Sequence, residues 1–119
     1  MKNITTIISL IIFIANCYSQ STFEVTYGSG STWEEGHSLK QLPDSGYILF
    51  GSGGSSMLLV RTDANGNLLW SNAFGTGSYN YYGNAIQKTI DGGFVLFGTR
   101  ASSIKNMYLV KTDSSGTEE

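Results

Sequence analysis

The chain has 119 residues, only 13% of them charged, and a formal net charge of −2. With no basic excess and no cluster of Lys and Arg, it lacks the electrostatic footprint of a nucleic-acid binder. Fifteen glycines and fifteen aromatics beside so few charges also argue against disorder.

The first twenty residues, MKNITTIISLIIFIANCYSQ, differ from all that follows. Lys2 precedes an apolar run from Ile7 to Ala15, and small residues then lead to Ser19 and Gln20. This is the layout of a secretory signal peptide over residues 1–19. The run is about nine residues, short of the roughly 20 that span a bilayer. Cleavage is expected after Ser19, with Cys17 and Ser19 as the small residues the peptidase reads. The alternative is a lipoprotein, because IANC resembles a lipobox in which Cys17 would be acylated. Asn16 stands where Gly, Ala or Ser is usual. Under the favoured cut 100 residues remain (119 less 19), without a cysteine, so disulfides are excluded. Loss of Lys2 moves the net charge to −3, six cations against nine anions.

Residues 20–119 form a repeat region, and its period organises the rest of the reading. Laid over residues 74–99 at an offset of 47, residues 27–52 give nine identities in 26 positions. Gly28, Gly30, Ser31, Gly36, Asp44, Gly46, Leu49, Phe50 and Gly51 all meet their own kind. Three extra residues near ASSIKN then shift the offset to 50. LVRTDANG (59–66) falls on LVKTDSSG (109–116) with five identities in eight, Arg61 meeting Lys111. FEVTYG (23–28) corresponds to WSNAFG (70–75), so the region opens on the last strand of a unit. Repeat one covers about 23–70 and repeat two about 70–119. Glu119 stands one position before the aromatic that Trp70 predicts, so repeat two is expected to be truncated.

Within each unit short strands alternate with turn signals. HSLKQL (37–42) and NAIQKT (84–89) alternate. YILFG (47–51) and FVLFG (94–98) are apolar throughout, as strands buried on both faces are. MLLVRT (57–62) and MYLVKT (107–112) follow, and LLWSNAF (68–74) completes a unit. Asp44 with Gly46, and Asp91 with Gly93, are predicted to make the first turn, glycine supplying positive φ. Asp63 with Gly66, and Asp113 with Gly116, are predicted to make the later turn, with glycine left-handed. Four short strands per unit at this period predict an all-β fold of two β-propeller-type four-stranded repeats, an incomplete propeller.

DGGFVLFGT…MYLVKTDSSG and DSGYILFGS…MLLVRTDANGNLLW resemble the tandem β-propeller repeats of secreted proteins from Bacteroidota-type bacteria. The resemblance covers residues 23–119. It implies an exported protein, secreted or at the cell surface, of a kind often sent out by type IX secretion. It supplies no catalytic residues.

The candidate sites are few. DANGN (63–67) opens like a calcium loop, but position twelve would be Phe74 where an EF-hand needs Glu. TDANGNLLW also resembles the Asp-box turn of sialidase-type propellers, with Asp and Gly one residue too far apart. His37 is the single histidine, replaced by Asn84 in the second copy, and makes a poor zinc site. Glu34 and Glu35 are adjacent carboxylates, a pairing glycosidases use, but Tyr81 and Tyr82 replace them in the second copy. These therefore read as an ordinary strand position and a solvated loop. No metal, cofactor or catalytic residue is assigned. The loops GSTWEEG (30–36) and GSYNYYG (77–83) differ most between copies and carry aromatics between Gly and Ser. Trp33, Tyr79, Tyr81 and Tyr82 are the candidate binding residues, against the reading that some pack between units.

The expectation is a non-enzymatic exported scaffold that binds protein or glycan and is a piece of a longer protein. The alternative is the non-catalytic part of a secreted hydrolase whose active domain lies beyond Glu119. A channel enzyme is disfavoured, since the first strands offer His37, Lys40, Gln41, Gln87 and Lys88 and no acid. Partners are further repeats of the same gene product or copies of the chain itself, because two units close no ring.

Overall fold

A computed structural model of the chain describes residues 22–119. The signal peptide expected over 1–19 and the alternative lipid site at Cys17 lie outside the described residues. The described residues are all-β. Strands β1 (Glu34–Gln41), β2 (Tyr47–Gly53), β3 (Ser56–Thr62) and β4 (Leu68–Phe74) form one antiparallel sheet in chain order. Strands β5 (Asn80–Lys88), β6 (Phe94–Ala101) and β7 (Lys105–Thr112) form a second. Beyond β7 the second sheet has a single bridge, Thr112 to Glu118, where the first has β4.

The two sheets share one register. Leu39 pairs Leu49 and Leu49 pairs Val60, while Ile86 pairs Leu96 and Leu96 pairs Val110. Each first strand carries a bulge at the same place, between Gly36 and Ser38 and between Gly83 and Ala85.

The turns explain why Asp and Gly recur. Asp44 Oδ1 accepts the Gly46 N–H at 3.1 Å, and Asp91 Oδ1 accepts that of Gly93 at 3.2 Å, as Asx turns do. The left-handed residue is the middle one, Ser45 (φ 67°) or Gly92 (φ 88°), not Gly46 or Gly93 as the sequence suggested. Gly93 is required by close approach instead: a Cβ there would lie 2.0 Å from the Thr112 carbonyl oxygen. Gly66 and Gly116 do take the left-handed position, at φ 81° and 80°. Asp63 Oδ1 accepts the N–H groups of Asn65 and Asn67, and Asp113 Oδ1 those of Ser115 and Thr117, all within 2.9 Å.

Ion pairs tie the first turns to the third strands. Arg61, itself buried, pairs with Asp44, and Lys111 pairs with Asp91 at 2.7 Å. The Lys111 ammonium, with the Thr89 hydroxyl, holds the Asp91 carboxyl well below the usual carboxylate range. Asn67 lowers Asp63 in the same way, and Ser115 lowers Asp113.

The core lies between the sheets. Ile48, Phe50, Met57 and Leu59 of the first sheet cluster with Ile86, Phe94, Leu96 and Val110 of the second. The apolar strands β2 and β6 were expected to be buried on both faces, and here each is fully buried on one. A strand buried twice needs a sheet on either side, and each sheet has one sheet neighbour among the described residues. Leu49 is therefore half-buried and Phe97 is 39% exposed, though their counterparts Leu96 and Phe50 are buried.

Gly83 sets the spacing between the layers. A Cβ there would lie 2.3 Å from the Gly51 carbonyl oxygen and 2.8 Å from the Phe50 ring. With no side chain in the way, its N–H reaches the buried Ser52 Oγ at 2.9 Å, and its carbonyl meets His37 Nδ1.

Residues 23–28 form no strand, contrary to the sequence expectation. Their counterpart β4 pairs with β3, and no such strand edge flanks this segment. It lies on the outer face of the first sheet. Phe23 covers Gly66, and the Tyr27 hydroxyl donates to the Gly66 carbonyl at 2.5 Å.

Phe50 and Phe97 occupy matching positions in unlike surroundings. In dilute protein, Phe50→Ala should cost about 3–5 kcal/mol of unfolding free energy and Phe97→Ala less than about 1. Urea unfolding measures both, and equal losses would refute the one-sided core.

Asp63, Asp91 and Asp113 have lower pKa values folded than unfolded. The unfolded chain therefore binds more protons as pH falls through the carboxylate range. Stability from the turns should be complete above about pH 4 and lost progressively below it. The urea midpoint, followed from neutral to acid pH, should drop only in that acid range. A midpoint insensitive to acid would contradict the turn hydrogen bonds.

Candidate functional site

The loops singled out in the sequence meet at one end of the sandwich. The β2–β3 turn joins them: Gly54 donates its N–H to the Trp33 carbonyl at 3.2 Å, and the Ser55 carbonyl accepts the Tyr81 N–H at 2.9 Å. Trp33, just before β1, is 54% exposed, and Tyr79, just before β5, is also exposed.

The 28–34 loop is held in shape by one carboxylate. Glu34 Oε1 accepts the Ser29 N–H at 3.1 Å, the Ser29 hydroxyl at 2.9 Å and the Thr32 hydroxyl at 2.9 Å. The Ser29 backbone bond leads in lowering the Glu34 pKa. Glu34 and Glu35, expected in a solvated loop, are instead the first two residues of β1, so this first strand does carry acids, and Glu34 organises the loop that precedes it. This pins the residues on either side of Trp33.

The four candidate aromatics separate into different environments. Tyr81 is 6% exposed and belongs to the core, so the packing reading describes it. Its ring meets Tyr108 edge to face at 5.0 Å, and a Cβ on Gly75 would lie 2.2 Å from it. Burial here pushes the Tyr108 phenol up. Tyr82, half-buried, shares a cross-strand row with Thr99 and Met107 on the outer face of the second sheet. Trp33 and Tyr79 remain as loop aromatics.

A residue the sequence reading passed over completes the surface. Arg100 places its guanidinium carbon 4.8 Å from the Tyr79 ring centroid, a cation–π pair. It stands at the start of the stretch where the repeat offset changes from 47 to 50, and that break in register was the available signal. Together Trp33, Tyr79 and Arg100 offer aromatic faces and a charged donor on a rigid support.

The other candidate groups have structural partners. His37 sits at the β1 bulge, between Glu35 Oε2 at 3.3 Å and the Gly83 carbonyl, and so spans the two sheets. Both Asp63 oxygens are occupied by turn donors, Oδ2 by the Asn67 amide at 2.8 Å, which leaves a turn rather than a cation cage. Among the described residues no three His, Cys, Asp or Glu side chains converge as a metal site would require.

A cavity of about 730 Å³ lies elsewhere, on the outer face of the first sheet beside the 23–28 segment. Val25, Tyr27, Leu49, Leu58 and Val60 are among its walls, so it is chiefly apolar. Comparison with family models, with curated proteins and with solved structures returned no match to this chain.

Proposed function

We propose that the chain is an exported, non-enzymatic repeat scaffold of the β-propeller type that binds a protein or a glycan through its loop end. One observation carries this reading. Two exposed aromatics, Trp33 and Tyr79, lie on loops tied to the same β2–β3 turn at one end of the sandwich, and the guanidinium of Arg100, from β6, stands over the Tyr79 ring. Aromatic faces stack on sugar rings and on protein surfaces, and loops on a rigid support are where recognition concentrates. The signal-peptide pattern of residues 1–19 supports export to the cell surface or beyond.

Intrinsic fluorescence reports on this surface, because Trp33 is exposed while Trp70 is half-buried. Soluble polysaccharides and surface-protein extracts, titrated separately, should perturb the Trp33 emission in one of the two arms. Trp33→Ala, read by calorimetry, and Tyr79→Ala should each weaken that binding by about tenfold or more. Leu69→Ala, exposed on β4, should leave it unchanged. Binding that survives the Trp33, Tyr79 double substitution, or silence in both arms, would sink the proposal.

A further inference from the structure

The two sheets meet head to tail. The first sheet contributes the face bearing Ile48, Phe50 and Leu59. The second contributes the opposite face, bearing Ile86, Leu96 and Val110. By the repeat offsets those last three correspond to Leu39, Leu49 and Val60 of the first sheet. Each sheet therefore has a donor face and an acceptor face, and the internal interface joins one of each. Among the described residues, one acceptor face (Leu39, Leu49, Leu58, Val60) and one donor face (Val95, Phe97, Met107, Leu109) have no partner sheet. On the donor face Met107 is 85% exposed and Leu109 66%.

Three details show what fits the open acceptor face. First, Gly36 is the counterpart of Gly83. At Gly83 the missing side chain admits Phe50 and Gly51, whereas at Gly36 a Cβ would meet nothing within 4 Å among the described residues. Among the described residues nothing makes use of its bareness. It suits the counterparts of Phe50 and Gly51, which are Phe97 and Gly98. Second, the 23–27 segment already stands where a neighbouring sheet's outermost strand would stand. Trp70 of β4 covers Gly116, a Cβ there lying 2.5 Å from its ring, and Phe23 covers Gly66 with a corresponding 2.6 Å. The same carbonyls accept side-chain bonds, Gly116 from Asn72 at 2.8 Å and Gly66 from Tyr27 at 2.5 Å. Third, among the described residues β7 has no strand on its outer edge, where β3 has β4.

We propose that copies of this chain assemble head to tail: the second sheet of one copy seats its Val95, Phe97, Met107 and Leu109 face on the Leu39, Leu49, Leu58 and Val60 face of the next. The receiving copy's 23–27 segment then adds to the incoming β7 as its fourth strand. The β3–β4 register carries over, with Tyr27 opposite Met107 and Val25 opposite Leu109. The cavity of about 730 Å³ beside that segment is part of the space the incoming sheet fills. A heterologous contact of this kind repeats until it closes, and propeller geometry closes at about four to eight sheets, or two to four copies. The proposal stands whether or not the loops bind a ligand.

Light scattering coupled to size exclusion tests it on the purified full chain. The wild type should show two to four times the mass of a single chain. Gly36→Val blocks the acceptor face and Leu109→Glu the donor face, so each alone should fall to the single-chain mass with its strand circular dichroism intact. Mixed in equal amounts, they should recover twice the single-chain mass, since each retains the face the other lacks. Should Gly36→Val lose its strand signal, Leu39→Glu, exposed on the same face, replaces it. A wild type of single-chain mass at every concentration overturns the proposal. So does a folded single-face variant that keeps the wild-type mass, or a mixture of folded variants that stays at the single-chain mass.

Discussion

The absence of a side chain at Gly83 governs the distance between the layers. A methyl group there would collide with the Gly51 carbonyl and the Phe50 ring, and the sheets would have to part. Parting them would break the bond from the Gly83 N–H to the buried Ser52 hydroxyl and leave that hydroxyl unpaired. It would also loosen Phe50, Met57, Leu59 and Leu96, each at most 1% exposed. The β5 bulge at this point and the His37 contact to the Gly83 carbonyl belong to the same constraint. Backbone approach, a hydroxyl bond and aromatic packing thus converge on one residue.

Much of this was legible in the sequence, because strands and turns are local. Alternation and turn residues located seven strands, and the doubled Asp–Gly phrases located the hairpins. The errors have a common physical form. FEVTY has the composition of a strand, yet pairing needs a neighbouring edge, which composition does not report. YILFG and FVLFG read as doubly buried, but burial depends on how many sheets stack. Gly46 and Gly93 were read as conformational residues, whereas their positions are set by carbonyl oxygens on a strand distant in sequence.

The placement of the two unlike loops was legible in outline for the same reason. The loops that differ between copies do lie together at one end of the sandwich. Tyr81 and Tyr82 are adjacent and chemically identical, and only strand pleating sends one into the core and the other to the outer face. Arg100 belongs to the β6 strand, so a reading that searched loops passed over it. Its role depends on where the Tyr79 ring stands, a tertiary fact.

The repeat also explains why the exposed surface is so apolar. An isolated two-sheet protein would be expected to alternate apolar and polar residues on its outer strands, with water on the polar face. Here β2 and β6 are apolar on both faces, and β7 places Met107 and Leu109 in solvent. Exposed apolar rows on a sheet with an open edge invite unspecific pairing, a hazard that proteins usually blunt with charge or proline. The outer face of the second sheet is bounded by Lys105 and Lys111, but its centre is uncharged. A sequence that keeps such a centre apolar in both copies is consistent with a surface shaped for contact. The match between Phe23 over Gly66 and Trp70 over Gly116 gives that contact a direction, which hydrophobicity alone could not.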